Sequence, residues 1–486
     1  MAASDSDEDV NPYRTGAAAC VLNETSDPRW MKFARWMGID RAVGFAVLAR
    51  FWQLLTGPIT QLLIVFCFSD IQQGYYYAFM NLLAMQIFVE LGLHVVIINV
   101  ASHEWAGAEL AEDGTARDND RLSRLISLGR TSVWWYSIAS ALFVVVVSIL
   151  GSLFFLDLEA GSGGGLVLAE WLAPWIALVG LTGLQLALLP LTAILEGCGQ
   201  LPVINRIRFW QGIAGSVIVW ALIFGECGLW ALSGSAAVRL LGELYLVAVR
   251  YRSFFAPFRK RPTGQTIRWK TEILPLQWRM AVQGSLLWLA NHLAGLVVLK
   301  CHGASASGKF GMMWTIFVAM QAASMSWIET RRPLFGRLIA EKNYKELDTL
   351  FFRMSRISIM LLLTGTSLFT AGVWIVNQLP FWFFQRIADR LPGVMPTALF
   401  AVALVVMQLA QCTNIYVRAH KRDPFLLAAI VSNLTIASLV FWLGSTQGIV
   451  GVAIGYLAGV SIVQVPLWVV IWWRIRIEWH SDGVAA

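Results

Sequence analysis

Charged and amide side chains recur at helical spacing inside long apolar stretches of this sequence. Two groups each form one face of a predicted helix: Arg50, Gln53, Gly57 and Gln61 in the first, and Gln86, Glu90 and His94 in the second. Since an ionisable group is costly at membrane depth, such a face usually points into a water-filled cavity or at a partner. The spacing therefore predicts a polar passage lined by apolar helices.

The charged members of these faces allow two interpretations. Arg50 and Glu90 are expected at similar depth, so they form either a functional pair or a structural ion pair that locks two helices. Arg239 and Glu243 are spaced i, i+4 and either neutralise each other on one helix or face the cavity. A lone transmembrane histidine such as His94 either bonds between helices or takes part in the chemistry.

These considerations select two sets of candidate residues. Asn291 and His292 lie in one apolar stretch, and Lys300 lies at its outer end. The candidate substrate-binding residues are Arg50, Gln53, Gln86, Arg239, Asn291, His292 and Lys300. The candidate ion-coupling residues are Glu90, His94 and Glu243.

The elements that carry these residues are predicted to be membrane helices. Hydrophobic residues make up 57% of the 486 residues and charged residues 14%, against about 25% in a soluble domain. The apolar stretches are long enough to cross a hydrocarbon core of roughly 30 Å. We predict an all-α integral membrane protein with twelve spans: 42–67, 73–101, 131–156, 169–196, 204–225, 228–250, 276–300, 309–330, 356–379, 394–417, 424–444 and 449–473.

The distribution of basic residues predicts the orientation. Of the 37 Lys and Arg residues, 31 lie in segments on one side of this topology and four on the other. Because basic loops remain in the cytoplasm, both termini are predicted to be cytoplasmic, in a cell inner membrane. The basic segment 250–270 is either a patch that binds anionic lipid or an ordinary linker on that side.

An internal repeat divides the chain. "ILEGCGQLPVINRI" at 194 aligns with "YVRAHKRDPFLLAA" at 416, and "GYYYAFMNLLAMQ" at 74 aligns with "GKFGMMWTIFVAM" at 308. Because six spans is an even number, the repeats enter the bilayer from the same side and are parallel. The predicted parts are a tail with an amphipathic stretch (1–40), two six-helix bundles (41–250 and 276–475), a basic linker (251–275) and a tail (476–486).

The glycine-rich segment at the end of the fourth span is predicted to be a turn. A phosphate-binding loop is excluded because no strand precedes it and it lacks the GK[ST] ending. Glu196 aligns with Arg418, so we predict that the two form a gate when the cytoplasmic side closes. The alternative is two unrelated interfacial charges.

Other site chemistries find no support in the sequence. The six cysteines form no CxxC pair, which predicts neither a metal site nor a disulfide framework. The acidic start lacks the apolar core of a signal peptide. We expect no cofactor, no enzymatic activity and no nucleic-acid partner.

The order of three motifs resembles a known family. The motifs are "VELGLHVVIINVASHEWA", "LEGCGQ" and "GIAGSVIVWALIFGECGLWAL", read on a topology of two parallel six-helix repeats. Together they resemble the multidrug/oligosaccharidyl-lipid/polysaccharide (MOP) exporter superfamily, and within it the polysaccharide (O-antigen type) flippases. This resemblance implies a central cavity and translocation of a polyprenyl-pyrophosphate-linked oligosaccharide by alternating access for cell-surface polysaccharide (lipopolysaccharide) synthesis, with H⁺ or Na⁺ coupling.

Two other functions remain open at this stage. The first is a multidrug or small-solute cation antiporter of the same superfamily, which would favour an acidic cavity. The second is a membrane glycan polymerase or ligase, which would need a large external loop. Membrane lipids are expected partners in every case.

Overall fold

The computed structural model describes residues 41–106, 119–162, 165–259, 262, 264–420 and 424–484, and every regular element in these ranges is helical. The predicted N-terminal tail and its amphipathic stretch lie outside them. The helices are α1 (Arg41–Cys67), α2 (Asp70–Leu83), α3 (Ile87–Glu90), α4 (Leu93–Ala106), α5 (Asn119–Ser162), α6 (Leu168–Gly197), α7 (Leu201–Phe224), α8 (Trp230–Leu244), α9 (Arg252–Phe255), α10 (Leu274–Glu329), α11 (Arg332–Ala340), α12 (Tyr344–Gln378), α13 (Trp382–Asp389), α14 (Val394–Ala419), α15 (Leu426–Ala458) and α16 (Val465–Val484).

The lengths of the helical stretches account for twelve spans. Eight stretches are long and apolar enough to cross a membrane, and α2–α4 forms a ninth that is bent by 44°. Two of the eight contain 59 and 54 residues, which at about 1.5 Å per residue is more than twice the thickness of a bilayer core. They reverse at Gly303 (φ 85°) and Gly448 (φ 63°), where positive φ favours glycine. Counting each as two spans and adding α1 gives twelve, which confirms the predicted fold class.

The segment "LEGCGQLP" forms a turn between two spans, as predicted. The N–H of Gly199 donates to the carbonyl of Glu196, and the N–H of Gln200 donates to the carbonyl of Leu195. With Gly199 at φ 80°, this is a Schellman motif that satisfies the last carbonyls of α6. A side chain on Gly197 would overlap the backbone of α4, so this glycine lets the two helices approach closely.

The connections between spans gather at two ends of the molecule. At the end that we call the basic side, Arg124 forms ion pairs with Glu104 (2.9 Å) and Glu272 (2.5 Å), which joins the start of α5 to the segment before α10. The N–H of Arg268 and the guanidinium of Arg124 lower the pKa of the Glu272 carboxyl. At the opposite side, the turns before α2 and α14 meet.

The two halves of the chain, residues 41–250 and 276–475, contact each other mainly through α2 and α10. A side chain on Gly74 would overlap the carbonyl of Ala304, and one on Gly308 would approach the backbone N of Gly74 to 2.9 Å. One on Gly311 would overlap the ring of Tyr77. These three glycines form a seam, the glycine seam, that lets the halves meet on the opposite side.

The glycine seam predicts a position-specific effect of one methyl group. We expect Gly74→Ala to lower the Tm of the purified protein, because overpacking typically costs about 1–3 kcal/mol. Gly372→Ala on α12 is the control, since no atom lies within 4 Å of its added carbon. There the Tm should stay or rise, because alanine favours a helix by roughly 0.5–1 kcal/mol over glycine. Equal Tm values for the two variants would contradict close contact at the seam.

Candidate substrate cavity

A cavity of about 800 Å³ lies between the two halves. Its walls come from α2, α3, α6 and α8 in the first half and from α10 and α14 in the second half. Five of the predicted site residues line it: Gln86, Glu90, Arg239, Asn291 and His292. This volume falls within the range of sites that hold small organic ligands, roughly 300–1,000 Å³.

Amide and aromatic side chains dominate the polar part of the wall. The amides are Asn81, Gln86, Gln185, Asn291, Gln321 and Gln411, and the aromatic residues are Tyr77, Trp288, Phe310 and Trp314. Most of these residues could not be singled out from the sequence, because amides and aromatic rings are uncharged and occur on many membrane helices. The signal that could have identified Asn81 is its position before Gln86 and Glu90 on the same span.

A contact between the halves organises one end of the cavity. The Nδ1 atom of His292 lies 3.0 Å from the Oδ1 atom of Asn81. Trp288 lies one turn before His292, and the two rings stack with centroids 6.1 Å apart. Gly295 leaves room for Asn81, whose Nδ2 atom would overlap any side chain at that position. His292 is therefore hydrogen-bonded between helices, which is the structural alternative for a transmembrane histidine.

Arg239 supplies the cationic group of the described cavity wall. Its side chain is accessible from the cavity, and its backbone carbonyl accepts a hydrogen bond from Gln211 on α7 (3.0 Å). Arg239 and Glu243 interact electrostatically without meeting as an ion pair in the described structure, and Glu243 also lies near Arg208 and Glu196. Arg239 and Glu243 therefore influence each other without the predicted direct pairing, and Glu243 belongs to a larger charge cluster with Arg208 and Glu196.

The single polar face predicted for the second span is wrong. The span breaks at Leu91 (φ 44°) and Gly92 (φ 70°), where the chain leaves helical geometry. The 44° bend separates Glu90, which lines the cavity, from His94, which does not. A single glycine inside an apolar stretch is a weak sequence signal of a helix break. Helical spacing alone therefore places His94 on the same face as Glu90, although the chain bends between them.

His94 lies in a charge cluster at the basic end of the first half. Its Nε2 atom is 4.0 Å from Glu196, and Arg208 approaches the other carboxylate oxygen of Glu196 to 2.7 Å. The Schellman turn after α6 brings Glu196 opposite Arg208 at the start of α7. Arg418, the proposed gate partner of Glu196, donates instead to Gln283 (3.4 Å). The gate remains a prediction for another conformation.

Two of the predicted binding residues, Lys300 and Gln53, do not line the cavity in the described structure. Lys300 pairs with Asp157 near the reversal at Gly303, where both side chains are more than half exposed. Gln53 lies on an exposed face of α1. The side chain of Arg50 lies outside the described residues. Among the described residues no three His, Cys, Asp or Glu side chains gather to form a metal site.

A hydrogen-bonded seal closes the opposite side above the cavity. We use "seal" for Phe68, Asp70, Gln73, Gly308 and Arg390. The buried Arg390 guanidinium contacts the Asp70 carboxylate (2.7 Å), the Phe68 carbonyl and the Gln73 side chain. Gln73 in turn donates to the carbonyls of Gly308 (2.9 Å) and Arg390 (3.2 Å). The seal thus bonds the first half to the second.

The cavity begins one turn below this seal. Tyr77 follows Gln73 by four residues and lines the cavity, as does Gly311, which follows Gly308 by three. The described cavity is therefore separated from the opposite side by a layer of buried, mutually bonded polar groups. Such a layer must break before the cavity can open in that direction.

Comparison with known proteins gives the fold. No protein-family model matches the chain, and no curated protein matches it in sequence. Solved structures do resemble it: an inward-facing multidrug resistance MATE family transporter of the MOP superfamily has a TM-score of 0.61 at 15% identity, covering 87% of this chain and 99% of the other. An outward-facing structure of such a transporter gives 0.53 at 14%, covering 91% and 97%.

A third similar structure comes from Pyrococcus furiosus. It is a MOP superfamily transporter described as having a binding pocket of reversed polarity that suggests a different function. It has a TM-score of 0.50 at 14% identity and covers 90% of this chain and 95% of its own. The chain has the fold of the MOP transporters.

The seal predicts that Arg390 controls access to the cavity. In a cysteine-free background with Thr315→Cys as a cavity probe, we expect Arg390→Gln to increase labelling by an impermeant thiol reagent from the opposite side several-fold. The substitution removes a buried cation, and each hydrogen bond to a charged group contributes about 1.5–3 kcal/mol. Arg386→Gln is the matched control, because Arg386 is exposed and donates to the Val65 carbonyl (3.3 Å), which is not part of the seal. Equal labelling rates in both variants would contradict the seal.

Proposed function

We propose that this protein is a membrane transporter that moves a polyprenyl-pyrophosphate-linked oligosaccharide between leaflets by alternating access. The observation that supports it most is the composition of the cavity wall: six amide side chains and four aromatic residues surround one arginine. Amides both donate and accept hydrogen bonds, so they match a ligand rich in hydroxyl groups. The aromatic rings provide flat apolar surfaces for the faces of sugar rings.

Arg239 is the group proposed to bind the pyrophosphate. A guanidinium presents its donors in a fork that fits two phosphate oxygens, and the pairing strengthens in a cavity shielded from bulk water. The Gln211 bond to the backbone of Arg239 fixes that turn of α8. The lipid tail stays in the bilayer, where it pays no cost of transfer into water.

Ion coupling is proposed for Glu90, a carboxylate in the wall of the same cavity as Arg239. Glu90 lines the cavity, and its span breaks immediately after it, so a small change at Leu91–Gly92 moves this carboxylate relative to His94. His94 lies on the other side of this break, in the charge cluster with Glu196, Arg208 and Glu243. A proton or Na⁺ that binds Glu90 changes the net charge of the cavity from neutral to positive when Arg239 is counted with it, which favours an anionic substrate.

A cation antiporter is the second candidate, and two observations favour it. The similar solved structures include multidrug resistance transporters, and Glu90 beside aromatic rings is suited to an organic cation. The two functions differ in the sign of the charge on the substrate. In proteoliposomes, uptake of an organic cation driven by a pH gradient, with no movement of a lipid-linked oligosaccharide, would favour the antiporter.

Removal of Arg239 tests the flippase proposal. We expect both Arg239→Gln and deletion of the gene to cause the lipid-linked oligosaccharide to accumulate on the leaflet of the basic side. The rate of transfer should fall about tenfold or more, since a charged hydrogen bond contributes about 1.5–3 kcal/mol. Arg250→Gln, on the exposed end of the same span, is the control. Normal surface glycan in the Arg239→Gln strain at normal protein level would contradict the assignment.

Glu90 is tested by separating binding from coupling. We expect Glu90→Gln to keep equilibrium exchange of substrate across a proteoliposome membrane but to lose accumulation driven by a pH or Na⁺ gradient, because the amide carries no titratable charge. Glu170→Gln, an exposed carboxylate on the opposite side, is the control. Gradient-driven accumulation that survives in Glu90→Gln would remove this residue from coupling and leave the oligosaccharide assignment in place.

A further inference from the structure

A second groove lies on the basic side of the first half, away from the cavity. Its volume is about 750 Å³, and it is formed by α5, α6, the end of the span that contains α8, and the segment 252–259 that holds α9. Its lining shares no residue with that of the central cavity. Three exposed arginines surround it: Arg130, Arg252 and Arg259. Among the residues that the structure describes, the twelve that line the groove include no carboxylate.

The segment 252–259, which bears Arg252 and Arg259, is held against α5 by packing. Phe258 lies directly against Gly129 of α5, where an added side chain would meet the ring at 2.5 Å. The Arg130 guanidinium donates to the carbonyl of Arg259 (2.9 Å) and lies 3.5 Å from that of Phe258. These contacts hold the segment 252–259 against α5, so the arginines are positioned before any ligand arrives.

The groove has an apolar floor next to its cationic rim. Leu191, Val247 and Phe255 line the floor. Trp134 also lines the groove, and this residue is 64% exposed on the surface of a membrane helix. Tryptophan is enriched where acyl chains meet head groups, so this position indicates the interface of the bilayer. A ligand that fits must therefore be anionic at one end and apolar at the other.

From this combination we propose that the groove binds an anionic phospholipid of the leaflet on the basic side, with its phosphate among Arg130, Arg252 and Arg259 and one acyl chain along the Val247 floor. Basic pockets between membrane helices bind anionic head groups in this way. Three arginines without a lining carboxylate complement a phosphate diester, whereas an ordinary basic loop carries its charge dispersed in water.

Native mass spectrometry of the delipidated protein in detergent tests this site with phosphatidylglycerol and phosphatidylcholine of identical acyl chains. We expect the triple variant Arg130→Gln, Arg252→Gln, Arg259→Gln to weaken phosphatidylglycerol binding by about tenfold or more, because each arginine attracts the anionic head group. Phosphatidylcholine binding should not change. A second variant, Val247→Trp, keeps all three charges but fills the floor, and we expect it to weaken phosphatidylglycerol binding as well.

The matched control removes the same charge elsewhere on the basic side. Arg331→Gln, Arg353→Gln and Arg356→Gln replace three exposed arginines of the second half, and this variant should bind phosphatidylglycerol as the native protein does. Equal losses in the two triple variants would reduce the effect to net charge and overturn the proposal. Displacement of phosphatidylglycerol by equimolar polyprenyl phosphate, or equally well by soluble glycerol phosphate, would overturn the assignment to a phospholipid.

Discussion

The need to satisfy polar side chains inside the bilayer determines this structure. With no water in the hydrocarbon core, each buried polar group must bond to the protein or face a hydrated space. Gln73 and Arg390 satisfy each other across the two halves, and Gln408 bonds to Ser324 and Ser358 within the second half. Other amide side chains of the spans, such as Gln86, Gln185 and Gln321, line the cavity between the halves. The halves therefore meet where polar groups bond across them and part where polar groups face the cavity.

The seal and the glycine seam work as one contact. Gly74 and Gly308 bring α2 and α10 close enough for the Gln73 amide to reach the Gly308 carbonyl, so backbone approach and hydrogen bonding depend on each other. A contact of this kind is either formed or broken, because partial separation leaves buried donors and acceptors without partners. This all-or-none property fits the proposed alternating access, since it favours two discrete states over a continuum.

Much of the fold was predictable because its signals are long and repeated. Apolar stretches, basic loops on one side and a shift between two copies are averaged over many residues. The individual side chains were harder to predict. Glu90 and Arg239 stood out by charge and do line the cavity, but Asn81 carries no charge and Lys300 lies near a turn. The break at Leu91–Gly92 depends on two residues whose backbone geometry is set by tertiary packing, so helical spacing misplaced His94.

We propose that two rigid halves expose one cavity to each side in turn. Distance measurements between spin labels at Glu170→Cys in the first half and Thr446→Cys in the second, both exposed on the opposite side, test it most directly in a lipid bilayer. The account predicts two distance populations, with the longer one favoured when substrate or the coupling ion is added. A single distance that stays unchanged in every condition, in protein that still transports, would contradict it.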